Sequence, residues 1–516
     1  MGIAEWFLNR AERDNPHTRI DERHPDGSAW STGNQVRALF HGHEYFREVL
    51  RVVEGTRAGD LILFTDWRGD ADERLAGPRT EVARVLAAAA RRGVLVKGLI
   101  WRSHADRLHF SAAANRRLAD ELRAAGGDVL LDMRVPPGGS HHQKLFVVRH
   151  PGRPERDVAF VGGIDLSHGR NDSHAHQGDP QRPPMAEAYG PRPPWHDIQL
   201  EIRGPAVGDV ELTFRERWGD PTPLTHNPVR FLRDRLSGLA TAGERMPPQL
   251  PDPAPAGGHA VQLLRTYPYR RRGYPFAPRG ERSVARGYIK ALRKARDLIY
   301  IEDQYLWSAE VVRPFARALR ENPQLRLIAV VPRFPDQPGR LTALAQCLGR
   351  TDALDLLRKA GGDRVAVYGL ENEAGTPIYV HAKACVIDDT WATVGSDNFN
   401  LRSWTWDTEL TCAVYDEGGF PLDLRLAAAR EHLGRDEGDD GDLRDPHVAF
   451  TAFAKAAQEL DDWYASGCRG PRPLGRLRAY RPPTVERWQS LPARALYRLV
   501  CDPDGRPGVL RRKHAF

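Results

Sequence analysis

Cysteine and long apolar runs are scarce in this sequence. Only five of 516 residues are cysteine, and none precedes Cys347. An odd and uneven set argues against a disulfide framework and favours a reducing compartment. No run of about 18 apolar residues exists, so no membrane-spanning helix is predicted. The N-terminus lacks the basic leader and apolar core of a signal peptide. These absences predict a cytoplasmic protein whose membrane contact, when it acts, is peripheral.

The composition is that of a globular protein with a mild positive charge. Charged residues make up 28% and hydrophobic residues 41% of the chain, which excludes a disordered tail. The net charge of +7 is spread over a long chain. It fits attraction to phosphate or an anionic membrane, or equally an arginine-rich solvated surface, but not a nucleic-acid signature.

Strand and helix patterns alternate along the chain. Residues 60–67 read as a short apolar strand; a helical pattern with a glycine stop follows, and 94–101 read as the next strand. This rhythm predicts a mainly parallel sheet covered by helices. The rhythm restarts after 246–258, "MPPQLPDPAPAGG", whose prolines indicate a stiff linker. We predict an N-terminal half over 1–245, and a C-terminal half with a C-terminal extension over 259–516.

Two stretches repeat each other across these halves. "SHHQKLFVV" (140–148) and "YVHAKACVIDD" (379–389) both contain His-x-Lys, and their histidines lie 239 residues apart. That offset indicates two fused domains rather than a short-repeat array. Residues two apart on a strand share a face, so each histidine points the same way as its lysine. One such pair is typical of a strand leaving a polar loop. Two pairs, each followed by Gly-Gly or Gly-Ser and then Asp or Asn, indicate a catalytic device.

The sequence resembles the phospholipase D superfamily, whose hallmark is a doubled His-x-Lys-x4-Asp-x6-Gly-Ser-x-Asn motif. It is most similar to the eukaryotic-type members. The matching blocks are "HHQK" (141–144), "FVGGIDLSHGRND" (160–172), "PWHDIQLEIRGPAV" (194–207), "IYIEDQYLW" (299–307), "YVHAK" (379–383), "GSDNFNLRS" (395–403), "DTEL" (407–410) and "EHLG" (431–434).

The resemblance implies an α/β fold: a duplicated α/β/α sandwich with two phospholipase D-like halves related by a pseudo-twofold and sharing one active site. It implies hydrolysis of a glycerophospholipid, with phosphatidylcholine expected, to phosphatidate and free headgroup through a phosphohistidine. Transphosphatidylation would accompany hydrolysis. No cofactor or metal is expected, because lysines supply the electrostatics, and no nucleic-acid partner is expected. The alternatives are a phosphatidyltransferase of the cardiolipin synthase type, a phosphodiesterase or nuclease of the same superfamily, and an inactive anion- or membrane-binding protein.

Roles can be assigned by resemblance and read physically. Substitution at phosphorus builds negative charge on nonbridging oxygens, which fixed cations and donors stabilise. A histidine can serve as a neutral nucleophile or as a protonated acid near neutral pH. The predicted catalytic residues are His142 as nucleophile, His381 as general acid, Lys144 and Lys383 as cations, Asn398 as donor, and Asp197 and Glu409 as orienting carboxylates. The predicted substrate-binding residues are Gly163, Asp165, Ser396, Asp388 and Arg265.

Each carboxylate is expected to orient the histidine of its own half, Asp197 with His142 and Glu409 with His381. The competing interpretation is that both are surface acids at strand ends. The N-terminal copy departs from the motif, because Arg149 stands where Asp is expected. Asp388, the C-terminal equivalent, lies five residues beyond Lys383, a reach of roughly 16 Å on an extended segment. It therefore fits a turn or packing residue better than a phosphate contact, and Arg149 is not expected to abolish catalysis.

Other segments admit two interpretations each. Residues 168–194, with His174 and His176, read as a mobile loop or lid rather than a metal site. Residues 265–280 mix arginines and aromatics, which suits a membrane surface, stacking on single-stranded nucleic acid, or a plain surface loop. Three tryptophans beside family blocks could wall a choline pocket or pack in the core: Trp307, Trp404 and Trp406. The segment 496–516 has two open interpretations, covering the domain or binding a partner.

Overall fold

The computed structural model of the chain describes residues 2–516 apart from 25, 105–110, 183–184, 226, 228, 230–231, 233–234, 237–241, 337–339 and 483–492. The N-terminal strands are β1 (Ser31–Phe40), β2 (Leu61–Asp66), β3 (Leu95–Trp101), β4 (Asp128–Asp132), β5 (Leu145–Arg149), β6 (Val158–Gly162), β7 (Trp195–His196) and β8 (Ile198–Arg203). The C-terminal strands are β9 (His259–Tyr267), β10 (Glu281–Arg282), β11 (Leu298–Asp303), β12 (Arg326–Val330), β13 (Val365–Glu371), β14 (Pro377–Val380), β15 (Lys383–Ile387), β16 (Trp391–Gly395), β17 (Glu409–Tyr415) and β18 (Leu477–Ala479). The α-helices are α1 (Arg10–Arg13), α2 (His41–Glu54), α3 (Val82–Arg91), α4 (Ala112–Ala124), α5 (Ala206–Trp218), α6 (Ser283–Leu292), α7 (Ala309–Glu321), α8 (Arg340–Gly361), α9 (Leu401–Thr405), α10 (Phe420–Leu433), α11 (Pro446–Ala465) and α12 (Gly508–Arg512).

The two halves repeat one strand order. In the N-terminal half the order is β1–β8–β6–β5–β2–β3–β4. In the C-terminal half it is β9–β17–β16–β15–β11–β12–β13. Strand β1 also pairs with β9 and so joins the two sheets. The predicted duplication of an α/β fold is therefore confirmed.

The prediction of a mainly parallel sheet is wrong. Within each seven-strand order, only the last two pairings are parallel: β2–β3–β4 and β11–β12–β13. The βαβ pattern was read correctly for those strands, which helices connect. The strands that carry the His-x-Lys stretches instead join their neighbours through short connections, which favour antiparallel pairing.

Each sheet lies between helices, so each half is an α/β/α sandwich. Alternating side chains of β2 face opposite ways: Ile62 and Phe64 pack with α2–α4, whereas Leu61 and Leu63 enter the core shared by both halves. Helix α5 contributes to that shared core, as do α10 and α11 from the C-terminal half. Helices α6–α8 cover the opposite face of the C-terminal sheet. The shared core holds the two sheets face to face.

Residues 246–258 form neither helix nor strand, and the boundaries of the two halves stay a prediction. Part of this segment packs on the N-terminal half, where the Pro251 carbonyl accepts from Arg149 and Gln249 donates to the Gly208 carbonyl at 2.7 Å. Among the helices described above, none combines the length and apolar character needed to cross a bilayer.

Candidate active site

The two His-x-Lys stretches meet at the junction of the halves. His142 lies just before β5 and His381 just before β15. The backbone N–H of His142 donates to the Thr408 carbonyl at 3.0 Å, and that of His381 donates to the His196 carbonyl at 2.7 Å. Both acceptors belong to the other half. Strands β7 and β14 add a short parallel pairing across the same junction. Each histidine is therefore held in place by backbone from the opposite copy.

The orienting carboxylates are exchanged between the halves. His142 Nδ1 lies 2.8 Å from Glu409 Oε2, and His381 Nδ1 lies 2.6 Å from Asp197 Oδ2. Since a carboxylate only accepts, each Nδ1 carries the proton and each Nε2 is left facing the cleft. The expectation that each carboxylate serves its own half is wrong. Both carboxylates are fully buried, which contradicts the interpretation as surface acids.

Both lysines lie inside the same site. Lys144 Nζ donates to the His142 carbonyl at 2.9 Å and lies 3.5 Å from Asp165 Oδ1. Lys383 Nζ donates to the His381 carbonyl and to Gln304 Oε1, the latter at 3.1 Å. Burial lowers the pKa of Lys383 to about 8, although neighbouring carboxylates oppose the shift. These ammonium groups are desolvated cations, which attract an anion more strongly than exposed ones do.

The electrostatics show that the two halves act on one space. Burial lowers the pKa of His142 well below its usual value, and the positive charges of Lys144 and Lys383 lower it further. Burial and Lys383 do the same for His381, with a smaller contribution from Lys144. Each imidazole thus responds to the lysine of the opposite half. Burial and the two lysines therefore favour the neutral form of both rings.

The carboxylates are perturbed in the opposite direction. Burial raises the pKa of Glu409 to about 7, although Lys144 opposes the rise. Burial also raises the pKa of Asp197, against the effect of Lys383. A raised pKa means that each carboxylate takes up a proton more readily than an exposed carboxylate does. Its hydrogen bond with the imidazole becomes stronger when the imidazole gains positive charge.

The two carboxylates are supported differently. Ser396 Oγ donates to Glu409 Oε2 at 2.5 Å and accepts from the Leu410 N–H at 3.0 Å. Gly163 occupies the equivalent position beside Asp197, and a Cβ there would lie only 2.3 Å from Asp197 Oδ1. Both residues are predicted above to bind substrate. In the structure Ser396 positions a carboxylate, and Gly163 leaves room for one.

Two further predicted site residues flank the lysines. Asp165 accepts from the backbone N–H groups of Trp67 and Arg68 at 3.0 and 3.4 Å, in addition to its contact with Lys144. Asn398 is buried, and its Oδ1 has no hydrogen-bond partner within the described part of the chain. Asp165 thus holds Lys144, while the carboxamide of Asn398 retains bonding capacity for a ligand.

Two predicted substrate-binding residues lie elsewhere. Asp388 is at the far end of β15, where its carboxylate accepts from three backbone N–H groups at 2.7–3.0 Å, those of residues 296–298. It fixes a turn, so the substrate-contact prediction is wrong and the turn interpretation is confirmed. Arg265 is fully buried, and its guanidinium binds Glu216, Glu281 and Thr18. Every nitrogen of that guanidinium is occupied, so the prediction that Arg265 contacts substrate is also wrong.

Arg149 has its own structural role. Its guanidinium pairs with Asp157 at 2.8 Å and with Glu211, and it donates to the Pro251 carbonyl. The side chain is completely buried at the end of β5 away from His142. An arginine in place of the motif aspartate therefore ties β5 to α5 and the linker.

The segment 168–194, apart from residues 183–184 outside the described set, is anchored to the C-terminal half. Glu431 on α10 accepts from His41 Nε2 at 2.9 Å, His174 Nδ1 at 2.7 Å and His176 Nε2 at 2.7 Å. Ligand-type atoms of His41, His176, His196 and Glu431 all lie within 4.8 Å of one another, a set that could hold a metal ion. Glu431 is at hydrogen-bond distance from His41 and His176 but 3.4 Å from His196 Nδ1, and this cluster links the two halves.

The tryptophans that contact the two catalytic histidines are not the ones considered in the sequence. Trp404 stacks on Tyr288 at 5.4 Å and Trp307 on Tyr305 at 3.8 Å, and both tryptophans are buried. These two are core residues. Trp195 instead packs on the His381 ring at 4.8 Å, and Trp67 meets the edge of His142 at 6.2 Å.

Several residues that support the site are not among those predicted from the sequence. His196 lies between two carboxylates, 2.6 Å from Glu302 and 3.4 Å from Glu431. Its carbonyl accepts a hydrogen bond from the His381 N–H. The Gln304 side chain accepts from Lys383, and the Thr408 carbonyl accepts from the His142 N–H. All five lie in the "PWHD", "IEDQ", "DTEL" and "EHLG" blocks. The blocks were visible in the sequence, but the contacts were not.

Comparisons with known proteins agree with this arrangement. Residues 119–242 match the family described as phospholipase D, and residues 288–427 match the cardiolipin synthase, PLD-like domain. The chain is 27% identical to phospholipase D alpha 2 of Oryza sativa subsp. japonica, over 73% of this chain and 62% of that protein. It is 28% identical to phospholipase D alpha 1 of Cynara cardunculus, over 60% of this chain and 51% of that protein. The chain thus spans between about half and two thirds of the length of these relatives.

Among solved structures, the chain resembles the phosphatidylserine synthase of Haemophilus influenzae Rd KW20. The TM-score is 0.52 and the identity 15%, and the match covers 84% of this chain and 94% of that one. At this identity the likeness concerns the fold alone.

Proposed function

Because the chain belongs to the phospholipase D superfamily, we propose that it hydrolyses a glycerophospholipid, phosphatidylcholine in the first instance, to phosphatidate and free headgroup. The observation that carries the proposal is the exchange of Glu409 and Asp197 between the halves. It leaves two imidazole Nε2 atoms and two lysines around one space. A phosphodiester is the group that needs a nucleophile, an acid and fixed cations together.

The proposed chemistry proceeds by two displacements. His142, neutral and with its Nδ1 proton held by Glu409, attacks phosphorus through Nε2. The bond from phosphorus to the headgroup oxygen breaks, and His381 gives that oxygen a proton. His381 then takes a proton from water, which attacks phosphorus, breaks the phosphohistidine bond and releases phosphatidate. An alcohol in place of water yields the transphosphatidylated lipid.

The pKa values support this order of events. His381 must carry a proton when it acts as an acid, yet its pKa is low in the site without substrate. A bound phosphodiester anion offsets the charge of Lys144 and Lys383 and raises that pKa again. His142 can attack through Nε2 only while its single proton remains on Nδ1, facing Glu409. Substrate binding therefore favours the protonated form of His381 that the proposed acid role requires.

The test is release of choline from phosphatidylcholine micelles in the presence of ethanol, with phosphatidate and phosphatidylethanol measured together. Wild type is expected to form both products, and His142→Asn and His381→Asn to form neither at a measurable rate. A transferase would make phosphatidylethanol with little phosphatidate. A nuclease would cut plasmid and release no choline, and that result would overturn the lipid substrate.

A trapping experiment assigns the two histidines. Rapid acid-free denaturation during turnover is expected to leave a phosphoryl label on His142 that disappears in His142→Asn. A label that persists on His381 in that variant would reverse the roles.

A further inference from the structure

Two segments with exposed apolar and basic side chains border the loop that leads to His142. Leu499 and Val500, in a short helical turn, are 78% and 56% exposed, and Tyr269 is 56% exposed. Such side chains are unusual on a free surface when they occur with unpaired cations. Neither segment has a role in the proposed chemistry.

Hydrogen bonds fix Leu499 and Val500 next to the cleft. The Arg402 guanidinium donates to the Val500 carbonyl at 2.9 Å, to the Gly138 carbonyl and to Asp407. Asp407 in turn accepts from the Ser140 N–H at 2.7 Å. Gly138 and Ser140 belong to the loop that leads to His142. One arginine side chain thus separates Val500 from the active-site loop.

Tyr269 approaches the same loop from its other end. Arg270 and the Tyr274 hydroxyl donate to the Arg134 carbonyl at 3.0 and 2.6 Å. Gln143, next to His142, donates to the Tyr267 hydroxyl at 3.1 Å. The segment 267–274 and the segment 497–501 therefore border the loop 134–140, and through it the same side of the cleft.

The charges on this border are positive. Arg271, Arg272 and Arg498 are exposed, and none of them takes part in an ion pair with another described residue. Nearby Asp502 and Asp407 are buried and bound to other groups. Arginine beside tyrosine and aliphatic side chains matches the headgroup region of an anionic bilayer, where cations meet phosphate and apolar tips meet acyl chains.

We propose that this surface docks the protein on a phospholipid bilayer that contains anionic lipid, so that the cleft opens toward its substrate. We call it the docking rim, and it consists of Tyr269, Arg271, Arg272, Arg498, Leu499 and Val500. The inference rests on the proposed function, because a cleft that binds a lipid substrate must open toward the membrane that contains it. It also uses part of the segment 496–516, for which covering the domain and binding a partner were both open.

The test measures sedimentation with vesicles of phosphatidylcholine, with and without phosphatidate, in a His142→Asn background that prevents turnover. Leu499→Asp is expected to weaken vesicle binding about tenfold or more, by loss of apolar insertion and repulsion from anionic lipid. Arg271→Gln is expected to weaken it about fivefold, and only when phosphatidate is present. The matched control is Leu474→Asp, because Leu474 is also 78% exposed but lies against Gly434 after α10. It should bind like the parent.

A second measurement separates this inference from the proposed function. With the catalytic histidine restored, Leu499→Asp should hydrolyse a monomeric short-chain phosphatidylcholine at the wild-type rate while losing activity on vesicles. Wild-type choline release with equal vesicle binding by Leu499→Asp and Leu474→Asp would overturn the docking rim alone. If wild type cleaves no lipid and Leu499→Asp still loses vesicle binding, the proposed function is overturned and the docking rim stands. A dimer that Leu499→Asp dissociates, with unchanged vesicle binding, would make the rim a contact between copies.

Discussion

Gly163 offers the sharpest test of how the site is built. Its backbone dihedrals are open to any residue, so replacement by alanine adds a methyl group without backbone strain. That methyl carbon would lie 2.3 Å from Asp197 Oδ1 and 3.1 Å from Asp197 Cγ, where ordinary contacts begin near 3.4 Å. Asp197 must therefore retreat by roughly 1 Å. The aspartate has little freedom, since its Oδ1 also accepts from the Ile198 N–H at 2.9 Å.

The retreat breaks the 2.6 Å hydrogen bond from His381 to Asp197. A hydrogen bond to a charged group is worth about 1.5–3 kcal/mol. If the bond is needed when His381 becomes an imidazolium, its loss appears in the barrier. One factor of ten in rate corresponds to about 1.4 kcal/mol. Gly163→Ala is thus expected to lower kcat by about 10- to 150-fold.

The assay is choline release at saturating phosphatidylcholine, with thermal unfolding to confirm the fold. Gly258→Ala is the matched control, because a Cβ at Gly258 meets nothing within 4 Å. If space for Asp197 is the only role of Gly163, then Gly163→Ala combined with Asp197→Ala should be no slower than Asp197→Ala alone. Retention of at least half the wild-type kcat in Gly163→Ala, or additive losses in the double variant, would refute the reasoning.

Three further outcomes are expected. Arg149→Ala should lower the free energy of unfolding by about 1–3 kcal/mol, because Asp157 and Glu211 lose a buried cation but keep the His150 N–H and Arg215 as partners. Urea unfolding measures the loss, and an Arg149→Asp variant more active than wild type would contradict the structural role. The alkaline limb of kcat/KM should fall near pH 8, since Lys383, with its pKa lowered by burial to about 8, loses its charge as the pH rises through that value. Lys383→Arg, which stays charged, should lack that limb. If the fall near pH 8 persists in this variant, the limb reports the titration of another group. Asp388→Ala should leave KM within about twofold but cost about 1 kcal/mol of stability, because three backbone N–H groups lose their acceptor; a KM raised tenfold would return Asp388 to the substrate site.

Much of the candidate site was predictable from residue types and spacing. Both His-x-Lys pairs, and the Asp and Glu that accompany them, stand in recognisable blocks of the sequence. The assignment of Asp197 and Glu409 to their own halves failed for a physical reason. Equivalent positions in two copies have the same local pattern, so nothing local distinguishes a partner 184 or 267 residues away from a nearer one.

The same limit explains Asp388 and Arg265. Motif position suggested that they touch substrate, but a motif records only order along the chain. Asp388 caps a turn at the opposite end of its strand, and Arg265 neutralises Glu216 and Glu281 inside the protein. Ser396 and Gly163 show the reverse case. Their importance was visible, but their action on a carboxylate depends on distances of a few ångströms.

The sequence by itself determined the duplicated α/β architecture and the kinds of side chain available for chemistry, because hydrophobic periodicity and residue spacing act locally. Only the tertiary structure decided which carboxylate serves which histidine and which charged residues are structural. It also decided which surface borders the cleft. Those outcomes depend on how two sheets pack face to face through a shared core, and that packing brings together groups with no relation along the chain.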